Sequence, residues 1–329
     1  MNKPYIEIDR ITKWYPYQDG RIFHLSGEKK WIKAVDAVSL SLRQGEILGI
    51  IGESGCGKST LGRLLTRLEE PTSGDVRIGG VSTKEMIRRD PKQFRRHVQI
   101  VFQNPFDTFT PRDTIEKILM RPLRNHRIGA NDTERRKICL EGLESGGLCP
   151  AEDIMSRYPH QLSGGQLQRI SIIRSMFLQP KFIIADEPVS MLDVSVRAEI
   201  IRILQDMSRR QKAAVAFISH DIALTRYISD RIAVMYLGRI VEYGDADDVI
   251  GQPMHPYTRA LLSNCASIDP DEKTTPAAIQ GEPPTPVNPG PGCYFAPRCH
   301  MACPACFESY PQISHFANGH YAACQRTAE

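Results

Sequence analysis

The chain predicts an α/β fold, a parallel sheet with helices on both faces, into which a block of helices is inserted. Three observations carry this. A continuous apolar strand, Glu46–Ile51, ends in a glycine-rich turn that opens onto a helix, Lys58–Leu68, with Leu61, Leu64, Leu65 and Leu68 at helical spacing. Two further apolar runs, Lys181–Ala185 and Ala213–Ser219, flank an amphipathic segment, Val196–Arg210, whose Ile200, Ile203, Leu204 and Met207 share one face. Strands that alternate with helices in this way build parallel sheets, because a helical crossover returns each strand in the same direction.

The remaining elements follow in order. Tyr5–Ile11 alternates like an edge strand, and Ala34–Leu42 reads as a second strand. Between them Pro16–Lys33 is polar and contains glycine, so it reads as a loop. Val98–Phe102 is a short strand followed by a loop rich in Pro, Asp and Thr, and Thr114–Arg174 is mainly helical with many charges. From about Asp269 the composition changes. Thr274–Pro291 is too dense in proline and glycine for a helix or a central strand, so it links the body to a cysteine-rich tail.

Bulk properties narrow the function classes. At 329 residues the chain suits one large α/β domain with an appendage, or two modest domains. A net charge of +4 is mild and argues against nucleic acid as the main partner. No apolar run approaches the roughly 18–20 residues that span a bilayer, and the N-terminus lacks the apolar core of a signal peptide. A cytosolic chain is expected, and a transport role would need separate membrane subunits. Cys56, Cys139, Cys149 and Cys265 are scattered, whereas Cys293, Cys299, Cys303, Cys306 and Cys324 crowd the C-terminal end. In a reducing cytosol such a cluster reads as metal-binding before it reads as disulfides.

The glycine-rich turn holds GESGCGKST, which matches G-x-x-x-x-G-K-[ST]. Gly52, Glu53, Ser54, Gly55, Cys56 and Gly57 would turn backbone N–H groups inward around phosphates, at a helix N-terminus that favours anions. Lys58 would reach the β- and γ-phosphates of ATP; the Ser59 hydroxyl, beside Thr60, would ligate Mg²⁺. FIIADEP delivers Asp186 to the magnesium shell and Glu187 to the attacking water. LSGGQ supplies Ser163, Gly164, Gly165 and Gln166 at a helix start, a second phosphate-binding surface. One nucleotide does not need two such surfaces in one domain, but a head-to-tail dimer does.

With these three motifs in order, residues 5–265 resemble an ATP-binding cassette (ABC) nucleotide-binding domain. The resemblance implies a P-loop NTPase (RecA-like) fold with an antiparallel β edge and a helical subdomain at about 104–174. It places Gln103 at the Q-loop, where it senses Mg²⁺ and water, and His220 at the γ-phosphate as the switch histidine. Tyr15 resembles the aromatic that stacks on adenine, with Trp14 beside it as a competitor, and Ser190–Asp193 resembles the D-loop, with Asp193 crossing the dimer interface. Met191 departs from the small residue usual there. Cys56, next to a helix N-terminus, is expected to be a thiolate whose modification inactivates the ATPase.

Downstream, HPYTRALL (His255–Leu262), GEPPTPVNP (Gly281–Pro289) and GCYFAPRC (Gly292–Cys299) resemble the C-terminal extension of dipeptide and oligopeptide permease ATPases. This implies 266–329 as a small Cys-rich, metal-binding extension, and an importer for peptides or related small solutes. Its partners would be two transmembrane permeases, a second and paralogous ABC ATPase, and an extracytoplasmic solute-binding protein, with this chain peripheral on the cytoplasmic face of the cell membrane. Cys293, Cys299, Cys306 and Cys324 fall where the subfamily carries its cysteine set, for which a [4Fe–4S] cluster is favoured over Zn²⁺. Cys303 reads as supernumerary; His300, His315 and His320 are candidate substitute ligands but read first as surface residues. The alternative is a soluble, non-transport ABC ATPase acting on ribosomes or DNA, against which stand a single cassette and the absence of a heptad array.

Overall fold

The computed structural model describes residues 4–17, 29–190, 192–263 and 281–328. In chain order come β1 (Ile6–Pro16), β2 (Trp31–Leu42), β3 (Ile47–Ile51), α1 (Lys58–Leu65), β4 (Ser73–Ile78) and β5 (Val81–Ser82). Next are α2 (Thr83–Arg89), α3 (Pro91–His97), β6 (Val98–Val101) and four helices: α4 (Ile115–Asn125), α5 (Asp132–Ser145), α6 (Ala151–Ser156) and α7 (Gly164–Met176). Then follow β7 (Phe182–Asp186), α8 (Val194–Gln211), β8 (Ala214–Ile218), α9 (Ile222–Ile228), β9 (Arg231–Tyr236), β10 (Arg239–Asp245), α10 (Ala246–Gly251) and α11 (Pro256–Ser263). The tail adds α12 (Ala305–Glu308), β11 (Ser314–His315) and β12 (Tyr321–Ala322).

These residues divide into two compact units, one made of residues up to 6, 42–47 and 78–217, the other of 7–41, 48–77 and 218 onward. In the first, strands run side by side as β8-β7-β6, with β6 and β7 parallel and Val98 opposite Phe182. Every residue of β7 and β8 is buried, as parallel strands covered on both faces require. The inserted helices pack their own core from Ile115, Leu119, Leu123, Leu143, Leu167 and Ile170. Thr114 and Asn131 cap α4 and α5 by accepting from the N–H groups of Lys117 (3.4 Å) and Glu134 (2.9 Å).

The second unit carries the strands β11-β12-β10-β9-β3, with β3 and β9 parallel and the others antiparallel, and a separate sheet in which β1 lies between β2 and β4. Its core joins Ile51, Val234, Tyr236 and Val241 to Tyr257 and Phe295. The tail residues from 281 onward are thus built into the unit that carries β3 and α1. The loop expected over Pro16–Lys33 is shorter at both ends, because β1 runs to Pro16 and β2 starts at Trp31. Residues 18–28 of it lie outside the described residues, as do Met191, Cys265 and the first part of the Pro-rich stretch. Among the described residues no helix is long and apolar enough to cross a membrane.

Candidate nucleotide-binding site

The turn between β3 and α1 is shaped by glycines that tolerate no side chain. Gly52 (φ 154°) and Gly57 (φ 103°) lie where a Cβ would come within 2.2 Å of the Met235 carbonyl oxygen and 2.1 Å of the Ala34 carbonyl oxygen. Lys58 is buried and curls back, donating from Nζ to the carbonyls of Gly52 (2.7 Å) and Glu53 (2.9 Å). Those bonds hold the ammonium against the loop's own carbonyls. Ser54, Gly55 and Ser59 are exposed, Thr60 is half-buried, and Gly57 is the residue before the first turn of α1.

Cys56 corrects an expectation. It is buried, and burial pushes its thiol up despite the Lys58 ammonium 3.7 Å away. Desolvation of a thiolate outweighs one nearby cation here, so Cys56 is a packed thiol and not a reactive one.

The first unit holds the two carboxylates and the LSGGQ turn. Asp186 ends β7 and is 7% exposed. Glu187 follows at φ 47°, left-handed backbone that a glutamate adopts only under local constraint. The constraint is visible: the Glu187 carbonyl accepts from the N–H (3.3 Å) and hydroxyl (3.1 Å) of Ser190, while its carboxylate accepts from Gln103 Nε2 at 2.9 Å. Gln103 and Glu187, separate in sequence, are therefore brought together. At the LSGGQ turn, Ser163 accepts from the Gln166 N–H (3.2 Å), and the Gln166 side chain accepts from the Ser163 N–H (3.0 Å). The reciprocal pair is a capping box, which satisfies two orphan donors at the start of α7 and leaves the Ser163 hydroxyl proton free to donate. Gly165 is required because a Cβ would meet Val196 at 2.9 Å. Asp193 is exposed at the start of α8 and makes no side-chain cap bond.

In the second unit, His220 is exposed between two anchored neighbours. The Ser219 N–H donates to the Ile50 carbonyl (3.2 Å), and Asp221 caps α9 by accepting from the Leu224 N–H (2.9 Å). Tyr15 donates its hydroxyl to Glu69, with Lys13 Nζ 5.2 Å from the ring centroid.

Sequence reasoning missed what holds the phosphate loop from outside. Glu53 accepts a two-pronged ion pair from Arg298 (2.7 and 3.0 Å), and its N–H donates to the Tyr257 hydroxyl at 2.9 Å. Both partners sit in stretches, HPYTRALL and GCYFAPRC, which the sequence marked for the resemblance they carry and not for any contact with the loop.

Cys293, Cys299, Cys306 and Cys324 line one small cavity together with His255, Phe295 and Met301, and Cys303 is not among its walls. Burial pushes the Cys293 thiol up to about 11. Cys303 Sγ instead lies 3.5 Å from Cys306 Sγ. Among the described residues no three His, Cys, Asp or Glu side chains are grouped so as to hold a metal ion. His320, expected at the surface, is buried, with Nε2 at 2.8 Å from the Glu242 carboxylate; a buried acid recruits it inward.

Three comparisons bear on this geometry. The chain matches the ABC transporter family over residues 35–190, and the C-terminal region of oligopeptide/dipeptide transporters over 241–306. It is 41% identical over 324 residues to a dipeptide transport ATP-binding protein of Haemophilus influenzae, covering 98% of this chain and 97% of that one. To a dipeptide transport ATP-binding protein of Escherichia coli it is 40% identical over 327 residues, 98% and 95% of the two chains. A solved dimeric ATP-binding cassette in a post-hydrolysis state, bound to ADP and Pi, is 29% identical, with a TM-score of 0.63 over 73% of this chain and 98% of that chain.

Proposed function

This chain belongs to the ABC transporter family, as an ATP-binding subunit with ATPase chemistry, and we propose that it energises the import of dipeptides or oligopeptides. The observation that carries the cargo class is the near full-length match to dipeptide transport ATP-binding proteins, which extends through the C-terminal region as well as the cassette. The soluble alternative has no comparable support.

In this reading the phosphate loop from Gly52 to Thr60 binds the triphosphate of ATP, with Lys58 as the point charge on its terminal phosphates. Mg²⁺, held by Ser59, Asp186 and Gln103, would neutralise phosphate charge. Glu187 orients and deprotonates the attacking water, His220 contacts the γ-phosphate, and Tyr15 stacks on adenine. Ser163 donates across a dimer to a nucleotide held by a second, paralogous ATPase subunit, and Asp193 lies at that interface. A capped helix N-terminus with a free hydroxyl proton supports such a role. Two membrane permeases and an external solute-binding protein complete the assembly, with this subunit peripheral at the cytoplasmic face. Purification from solubilised membranes should recover the permeases, and a deletion strain should lose uptake of labelled dipeptides. Recovery with ribosomes and unchanged peptide uptake would overturn the assignment.

For the tail we propose a [4Fe–4S] cluster on Cys293, Cys299, Cys306 and Cys324, with Zn²⁺ as the alternative. The support is that these four, and not Cys303, share a cavity. When bound, the group would cross-link a tail too small to fold around its own core. Anaerobically purified protein should contain iron and absorb broadly near about 400 nm, as thiolate-bound clusters do; zinc without iron would select the alternative, and neither metal would reject both.

A further inference from the structure

A phosphate-binding loop gains nothing from a carboxylate. Glu53 is the second residue of that loop, and its charge, left free, would oppose the triphosphate that Lys58 and the backbone amides attract. The structure disposes of that charge through the C-terminal tail. Arg298, 6% exposed, grips both carboxylate oxygens of Glu53 at 2.7 and 3.0 Å, and also donates to the Gly281 carbonyl (2.8 Å) and the Tyr236 hydroxyl (3.3 Å). The guanidinium therefore has partners in the phosphate loop, in β9's last residue and in the Pro-rich stretch. Behind it, Tyr236, Tyr257 and Phe295 pack with ring centroids 4.6–5.3 Å apart, so the fork is held on a rigid aromatic floor.

We infer that Arg298 is a positioning residue for ATP binding, neutralising Glu53 so that the phosphate loop presents net positive charge to the nucleotide. The inference rests on the reading of Gly52–Thr60 as the ATP site. It makes nucleotide affinity depend on a residue 245 positions away, in the tail rather than the cassette. An ion pair that merely docked the tail would change melting temperature and leave affinity alone.

The test is equilibrium titration of the full-length chain with a non-hydrolysable MgATP analogue at two salt concentrations. Arg298→Ala should weaken binding about tenfold at low salt, and the deficit should shrink at high salt as the freed Glu53 charge is screened. Glu53→Gln in the same chain should restore affinity to within about threefold of wild type, because it deletes the charge that Arg298 no longer cancels. If Arg298→Ala does not fold, Arg298→Gln and Arg298→Lys separate charge from packing: Gln should lose affinity, and Lys should retain most of it. Wild-type affinity in Arg298→Gln, or a double variant as weak as the single one, would overturn the inference. Failure of the wild-type chain to bind the analogue would instead reject the ATP site itself.

Discussion

Replacing Glu187 by Gln abolishes turnover while leaving ATP bound. Glutamine keeps the length and an acceptor oxygen, so the 2.9 Å bond from Gln103 survives and the loop around it need not move. What disappears is the basic carboxylate. General-base catalysis is worth roughly 10²–10⁴-fold, so hydrolysis should fall by at least a hundredfold. Nucleotide affinity should change little, because the loop proposed to bind the phosphates is Gly52–Thr60. Filter-bound ATP and released phosphate, measured on one preparation of the assembled transporter, separate the two effects. Hydrolysis at the wild-type rate would show that another group activates the water. A second variant sharpens the reading. Glu187 sits at φ 47°, where glycine fits without strain, so Glu187→Gly should be no less stable than wild type and equally inactive. Left-handed backbone at the proposed general base is the kind of local strain that gathers at catalytic positions.

Much of this was legible in the sequence because the signals are local. The phosphate loop needs only an apolar strand, a glycine turn and a helix in succession, and β3 and α1 lie where that pattern put them. The helix ends at Leu65, short of the expected Leu68, because Thr66 turns its hydroxyl back on the Gly62 and Arg63 carbonyls (both 3.1 Å) and Arg67 adopts φ 53°. The β9–β10 hairpin was invisible for a related reason. Its turn, Leu237 (φ 40°) and Gly238 (φ 83°), is left-handed at both positions, and leucine in the first disguises what Asn-Gly would have announced.

Non-local pairing accounts for the rest. β2 begins at Trp31, earlier than periodicity suggests, because Trp31 exchanges bonds with Asn288 (2.8 and 2.9 Å) and the Lys33 N–H donates to the Pro286 carbonyl (3.0 Å). A proline-rich stretch that cannot enter a sheet as a full strand thus still props its edge through carbonyls and one asparagine. The reactivity expected of Cys56 failed on burial, which a motif does not encode. The Glu53–Arg298 pair joins two motifs that each looked complete in isolation.

Glu242 is where the tail should prove most costly to disturb. This glutamate is fully buried on β10, just past a bulge, with Ala322 of β12 opposite. Its carboxylate accepts from the N–H groups of Met254 (2.7 Å) and His255 (2.9 Å) and lies 2.8 Å from His320 Nε2. One side chain therefore satisfies the approach to α11 and a histidine of the tail at once. Glu242→Leu fills the same space but leaves two buried N–H groups and an imidazole without acceptors, which should cost about 3–5 kcal/mol. Glu242→Gln keeps one acceptor oxygen and turns an amide against a donor, for about 1–3 kcal/mol. Denaturant unfolding of the full chain measures both, and limited proteolysis should show the tail beyond 281 cleaved first in the leucine variant. Because Tyr257, two residues past His255, holds the Glu53 N–H, the same variant should weaken nucleotide binding although Glu242 touches no part of the phosphate loop. A leucine variant within 1 kcal/mol of wild type would mean that water replaces the carboxylate at little cost, and that the tail is anchored chiefly by its aromatic core.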